Sequence, residues 1–413
     1  MTDDPRQIVI VGAGLAGDRC AFALRGAGFT GRLTLVGDEA VRPYDRPPLS
    51  KAVLKGEGAE DRIYYRTEKD YAAADIDLRL GQGAVAIDRD ARRLALADGT
   101  SLSYDVLVLA TGSRLRELPA LPRGTPGVFY LRDRADALAL RAALQAGGRV
   151  AVIGGGVIGL EAAAAAIGRG LPVTVIEPAP RIMARACGAA IAGLLGERHR
   201  RAGADLRCGV GIASVRPTVA GHRLDLTDGT SIEAEIVIVG IGVVPATALA
   251  GAAGLAVTPA GIAVDGHGRT SDPAIFAAGE VTFHYNGLSD GHERQENWFH
   301  AAAHGEHVGR AIVDPAAPYA QLSGFWTDQY DLSLQSVGRP LAERDVIRGA
   351  IGSGTFVAFH LDGDVLVGAS GQNAASELRQ AKALIRSRVA VDADRLADPS
   401  IKVSDATARV KQP

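Results

Sequence analysis

The sequence predicts an α/β fold, and three observations carry that reading. A short apolar strand, Ile8–Val11, runs straight into Gly12-Ala13-Gly14-Leu15-Ala16-Gly17 and then into a helical stretch to about Arg25. The same order returns about 140 residues later, where Arg149–Ile153 leads into Gly154-Gly155-Gly156-Val157-Ile158-Gly159 and an alanine-rich helix. From Gly324 onward the texture changes to alternating strands at 331–338, 343–350, 355–360 and 364–370, with a helix near 373–389. The first two observations predict two Rossmann-like nucleotide-binding domains, and the third a C-terminal α+β domain.

The boundaries follow from the punctuation between these elements. Pro119, Pro122, Gly124 and Pro126 mark a crossing out of the first domain, which therefore covers 1–117 and resumes at 244–319. The second nucleotide-binding domain occupies 118–243, and the C-terminal domain 320–413. Within them, a strand Arg32–Val36 completes the first β-α-β unit, Arg42–Leu49 reads as an ordered proline-rich loop, and Ser103–Ser113 holds a buried strand ending in a turn. Helix 133–146 precedes the second glycine word, and strand Pro172–Glu177 follows it. A further buried strand, Ala234–Val239, ends in Gly240-Ile-Gly-Val-Val-Pro245, and Thr270–Glu280 is a strand running into a helix near 292–312.

Composition excludes several classes. The formal net charge is −2, with 22% charged and 47% hydrophobic residues, which gives no bulk attraction for nucleic acid or an anionic membrane. No apolar run approaches the roughly 18 residues that span a bilayer. The polar start, Met1 to Gln7, lacks the pattern of a secretory leader, so a cytoplasmic location is expected. Three cysteines, Cys20, Cys187 and Cys208, form no C-x-x-C pair, and small buried thiols are the expectation.

A glycine-rich turn between strand and helix lets the backbone approach a pyrophosphate, which the helix N–H groups and dipole then hold. Gly12, Gly14, Ala16 and Gly17 make one such turn; Gly154, Gly156, Ile158 and Gly159 make the other. Glu177 ends a strand eighteen residues after Gly159, where a carboxylate accepts hydrogen bonds from an adenosine ribose and repels a 2′-phosphate. NAD is therefore favoured over NADP in the second pocket, with Arg181 and Arg185 near enough to soften the repulsion. In the first pocket Gly37 stands where the acid is expected, and the ribose is assigned to Asp38, with Glu39 as the alternative. His300, His304 and His307 share a helix face; with no fourth ligand or H-E-x-x-H word, a partly exposed face is expected and no metal.

The chain resembles the oxygenase-coupled NADH:ferredoxin reductases within the glutathione-reductase-like flavoproteins. The resemblance covers nearly the whole chain from about Gln7. It rests on Gly12–Gly17, Tyr44-Asp-Arg-Pro-Pro-Leu-Ser-Lys51, Tyr104–Ser113, Tyr130-Leu-Arg132, Gly154–Glu161, Thr270–Glu280 and Phe325-Trp-Thr-Asp-Gln-Tyr330. It implies that the first domain binds FAD, that hydride passes from NADH to FAD, and that electrons leave singly to a 2Fe–2S ferredoxin serving an oxygenase. It further implies a monomer or weak dimer. A rubredoxin reductase and an apoptosis-inducing-factor-like NADH sensor are the alternatives.

Residue by residue, the resemblance implies that Lys51 lies near the reactive edge of the flavin and stabilises negative charge on it. Glu161, one turn into the second glycine-turn helix, pairs with Lys51, since either charge buried alone is costly. Arg46, Ala84, Thr111, Arg132, Gly279 and Trp298 are implied FAD contacts, and Arg185 and Gly242 lie with the NAD contacts. Trp326, the other tryptophan, is implied to line the electron exit. Glu280 stands where the family usually has aspartate, and is implied to accept from the ribityl chain, with the following helix directing its dipole at the flavin. The thiol-dependent relatives on this fold carry a cysteine in the loop corresponding to Pro43–Lys51; here that loop has none.

Overall fold

The computed structural model describes residues 7–58 and 60–408. The polar residues 1–6 and the last residues of the C-terminal domain, 409–413, lie outside the described residues. Two compact units result. The first takes the chain up to Asp45, Asp61–Arg114 and Val243–Ser323; the second takes Arg46–Glu60, Leu115–Gly242 and the chain from Gly324 onward.

The first unit is built on a five-stranded sheet in the order Ile275–Ala277, Val106–Leu109, Gln7–Val11, Arg32–Val36, Ile76–Arg79. Every neighbouring pair is parallel. Such strands are covered on both faces, which is why the sequence shows unbroken apolar runs such as Ile8-Val-Ile-Val11 in place of alternation. The strand that enters the first glycine turn is the central one, so that turn sits where chain order reverses across the sheet, the place where open α/β sheets bind ligands. Helix Leu15–Gly26 packs against helix Trp298–Val313 at very short range: a Cβ on Gly305 would meet Ala16 O at 2.3 Å, and one on Gly309 would meet Cys20 O at 2.5 Å.

The second unit repeats the arrangement with Asp205–Cys208, Val173–Glu177, Val150–Ile153, Ile236–Val239 and Val128–Phe129, again all parallel and again with the glycine-turn strand in the middle. A second five-stranded sheet is antiparallel, ordered Gly324–Gln329, Leu332–Gly338, Val365–Gln372, Phe356–Asp362, Arg344–Gly349. The predicted change of texture at Gly324 is thus the start of a five-stranded antiparallel sheet. Helix Ala375–Ser387 follows its last strand.

The structure differs from the sequence reading in three places. Arg46–Glu60, read with the first domain, packs in the second unit: Leu54 is fully buried in the core that holds Leu140 and Leu160, and Arg169 Nη2 donates to Leu54 O at 2.8 Å. Glu280 does not lead into the helix near 292–312. It lies in the short turn Gly279–Val281, and strands Thr282–Asn286 and Gly291–Glu293 intervene before the helix starts at Trp298. The Thr282-Phe-His-Tyr-Asn286 segment alternates buried and half-buried side chains, a strand signal masked by its histidine and asparagine. The predicted strand Ala234–Val239 is split at Glu235, whose carboxylate accepts from Arg149 N; Ser231–Ala234 joins an antiparallel sheet and Ile236–Val239 the parallel one.

Candidate functional site: two glycine turns and a buried ion pair

The two glycine turns have the same construction. Gly12 has φ +113°, and a Cβ there would meet Ala110 O at 2.2 Å; one on Gly17 would meet Gly12 O at 2.0 Å. The equivalents are Gly154, with φ +107° and Gly240 O at 2.4 Å, and Gly159, with Gly154 O at 2.2 Å. A Cβ on Gly14 or Gly156 meets nothing within 4 Å. Two glycines in each word therefore close the turn onto the sheet, and the middle one leaves open space at the helix start. Gly14 and Gly156 are the N-caps of their helices and neither contributes a side-chain cap. Helix-start N–H groups, a positive dipole end and open space fit a dinucleotide pyrophosphate in both units.

At the first turn Asp38 is exposed and Glu39 half-buried, with Tyr44 Oη donating to Glu39 Oε2 at 2.5 Å. Gly37 replaces the expected acid because a Cβ there would meet Ala13 Cβ at 2.6 Å. Ala84 heads strand Ala84–Asp88, and Thr111 Oγ1 donates to Ala246 O at 2.9 Å. Trp298 Nε1 donates to Asp45 Oδ1 at 2.7 Å, and Tyr65 Oη donates to the same atom at 2.9 Å. Neither Asp45 nor Tyr65 was singled out from sequence.

Gly279, φ +79°, is held on both sides: its N–H donates to His304 Nδ1 at 3.0 Å, and its carbonyl lies 3.3 Å from His300 Nε2. Glu280, the next residue, is half-buried. These contacts overturn the reading of a partly exposed histidine face. His300 is 1% and His304 0% exposed, His307 Nε2 bonds Gly266 O at 2.8 Å, and His284 stacks on His300 with centroids 4.3 Å apart. The helical spacing was right, but the face it marks is turned inward against the Gly279 turn and Tyr319.

In the second unit Glu177 bridges the turn, accepting from Gly155 N at 2.7 Å and Ala179 N at 2.8 Å. Ile158, beside the open helix start, is 42% exposed. Arg185 is exposed, and its Nη2 would lie 3.4 Å from a Cβ on Gly242. Arg46 Nη1 donates to Arg132 O at 2.5 Å, so those two implied contacts are neighbours. The feature with the most chemical content is Glu161, 2% exposed. Lys51 Nζ donates to its Oε1 at 2.7 Å, Thr327 Oγ1 to the same oxygen at 2.7 Å, and Ser50 Oγ to its Oε2. Lys51 Nζ also lies 6.0 Å from the centre of the Trp326 ring. Sequence reading found the pair but missed Ser50 and Thr327.

The thiols take no part in such a site. Burial pushes Cys20 up to about 12 and Cys187 up to about 11, and it raises half-buried Cys208 as well, so the reactive thiolate is disfavoured.

Two dinucleotide turns on parallel sheets, with a buried lysine–carboxylate pair and no reactive thiol, define a nucleotide-dependent oxidoreductase. The pyridine nucleotide-disulphide oxidoreductase model matches residues 6–305, and the reductase C-terminal model matches 324–407. The chain is 40% identical to the ferredoxin–NAD(+) reductase component of the p-cumate 2,3-dioxygenase system of Pseudomonas putida, over 98% of this chain and 99% of that protein. It is 42% identical to the corresponding component of the anthranilate 1,2-dioxygenase system of Burkholderia cepacia, over 97% and 98%. The solved covalent putidaredoxin reductase–putidaredoxin complex contains a chain 37% identical to this one, with a TM-score of 0.91 and 97% and 98% coverage. The chain therefore belongs to the pyridine nucleotide-disulphide oxidoreductase family, in the branch of ferredoxin–NAD(+) reductases of oxygenase systems. It is an enzyme that uses FAD and NAD(H).

The expected NADH preference has a direct test. If the Glu177 carboxylate is what discriminates against a 2′-phosphate, Glu177→Ala should raise the ratio of kcat/KM for NADPH to that for NADH by about tenfold or more. An unchanged ratio would assign discrimination to another residue.

Proposed function

We propose that the enzyme passes hydride from NADH to FAD and single electrons onward to a 2Fe–2S ferredoxin that serves an oxygenase. The observation that carries this is the Glu161 site: a buried carboxylate held by Lys51, Ser50 and Thr327, with no thiol in the loop that supplies Lys51. FAD, when bound, takes an electron pair and returns it one electron at a time, which matches a two-electron donor to a one-electron acceptor.

The first unit's glycine turn would hold the FAD pyrophosphate, Asp38 or Glu39 the adenosine ribose, and Glu280 the ribityl chain. Arg46, Ala84, Thr111, Arg132, Gly279 and Trp298 complete the proposed FAD contacts. The second glycine turn, Glu177, Arg185 and Gly242 would hold NADH. Lys51 supplies a fixed cation that favours negative charge on the acceptor after hydride arrives, and Glu161 orients that cation and the nicotinamide amide. Functionally we divide the chain into an FAD-binding domain at 1–117 and 244–319, an NAD-binding domain at 118–243 and a C-terminal domain from 320.

Among the described residues no helix is long and apolar enough to cross a membrane. With NADH as donor we place the enzyme in the cytoplasm, as a monomer or weak dimer.

The deciding experiment is stopped-flow reduction by NADH followed by electron delivery to a panel of 2Fe–2S ferredoxins and a rubredoxin. Rapid flavin bleaching, with cytochrome c reduction only when a ferredoxin is added, is the expected result. Slow bleaching with no turnover would sink this reading, and preference for rubredoxin would change the acceptor.

A further inference from the structure

A second set of side chains stands behind Glu161. Thr327 Oγ1, which donates to Glu161 Oε1, itself accepts from Gln329 Nε2 at 2.9 Å. Gln329 Oε1 lies 2.7 Å from His199 Nε2, and His199 Nδ1 lies 3.0 Å from Tyr330 Oη. Glu161, Thr327 and Gln329 are 1–2% exposed and His199 is 0% exposed.

The direction of this chain is set by chemistry. Glu161 Oε1 accepts from Lys51 and from Thr327, so the threonine proton is committed to it. Thr327 Oγ1 then accepts a hydrogen bond from the Gln329 amide N–H, which leaves the amide oxygen to accept. His199 must therefore carry its proton on Nε2, and its bare Nδ1 accepts a hydrogen bond from the Tyr330 hydroxyl. All four links point their donors toward Glu161. Burial holds His199 below the usual histidine range, consistent with a neutral ring, and the Arg198 charge adds to this; Arg198 lies 4.2 Å over the Tyr330 ring and pairs with Asp331 at 2.6 Å.

Thr327 and Gln329 are two apart on strand Gly324–Gln329 and share its buried face. An apolar pair would fill that face with less desolvation. We propose that Thr327, Gln329 and His199 are positioning residues that fix the Glu161 carboxylate against Lys51 for hydride transfer. The proposal rests on the role assigned to Glu161 above.

Thr327→Val keeps the side chain's shape and removes the hydroxyl, whereas Thr327→Ser keeps the hydroxyl and removes the methyl. A packing role predicts that serine is the more damaging change; positioning predicts valine. Stopped-flow hydride transfer is expected to slow about tenfold in Thr327→Val and to stay within about twofold of the parent in Thr327→Ser, with NADH affinity unchanged in both. Independently of turnover, the infrared carboxylate band of Glu161, identified by subtracting the Glu161→Gln spectrum, is expected to shift in the valine variant alone. Equal rates, or serine slower than valine, overturn the proposal. Should Thr327→Val fail to fold, Gln329→Met reads the next link: slower transfer at unchanged NADH affinity supports it, and an unchanged rate overturns it. If Glu161→Gln leaves hydride transfer intact, the assigned role of Glu161 fails. If it slows transfer while the Thr327 and Gln329 variants do not, only the positioning chain fails.

Discussion

Lys51→Ala is expected to slow NADH-dependent flavin reduction by on the order of a hundredfold, the scale seen when one fixed electrostatic contact to developing charge is removed. The same change takes the cation from Glu161, which is 2% exposed in the parent chain, and leaves Ser50 and Thr327 donating to it. Breaking a buried pair from one side costs about 3–5 kcal/mol, so the second unit should also unfold at lower denaturant. The double variant Lys51→Met with Glu161→Leu separates the two effects. It removes both charges and should recover stability while remaining as slow as the single variant. A rate within about threefold of the parent in Lys51→Ala would exclude the lysine from hydride transfer.

The second large effect is acid lability of the first unit. Burial pushes His284 down to about 4, with nearby His292 adding to it. His300 and His304 are held well below the usual value, by burial first and then by the neighbouring imidazoles. Glu293 lies 3.8 Å from His284 Nε2, and Asp265 and Arg310 act near His307, so the column has little compensating charge. An unfolded chain protonates these rings near pH 6.5, whereas the folded unit keeps them neutral until their lowered values are reached. The stabilisation is therefore complete above about pH 6.5 and is lost as pH falls below it, through about 4 for His284 and through the lowered values of His300 and His304. Each ring contributes at most about 1.4 kcal/mol per pH unit inside its window, so stability should fall progressively as pH drops from about 6.5 to about 5. Denaturant unfolding followed by Trp298 fluorescence in a Trp326→Phe background reports on this unit. His284→Gln should shallow the pH slope. A flat profile between pH 7 and 5 would contradict the account.

The glycine turns were legible because their constraint is on the backbone and is local. Gly12 and Gly154 must take positive φ, and Gly17 and Gly159 must let another chain segment pass, within six residues of sequence. Lys51 and Glu161 were found only through the words around them, since nothing in periodicity brings together residues 110 apart. Ser50 and Thr327 reach Glu161 from 111 and 166 residues away, and their hydroxyls carried no local signal. The histidines failed differently. Helical spacing showed that they share a face, but polar residues default to the surface, and only tertiary packing against Gly279, Gly266 and Tyr319 turns that face inward. Thr270–Glu280 was read as running straight into the helix near 292–312 because the strands between Thr282 and Glu293 are short and polar.

The sheet of the first unit takes its outermost strand, Ile275–Ala277, from far down the chain, against Val106–Leu109. About 165 residues separate the two, so on the ribosome the earlier strand waits roughly ten to thirty seconds for its neighbour at ordinary elongation rates. During that interval an apolar strand presents an open row of N–H and C=O groups, the template that foreign strands add to. A nascent chain stalled or cut anywhere between these points carries a sticky, half-finished sheet. Yield of this enzyme in a heterologous host should accordingly be governed less by the stability of the finished molecule than by how well chaperones shield that one waiting edge.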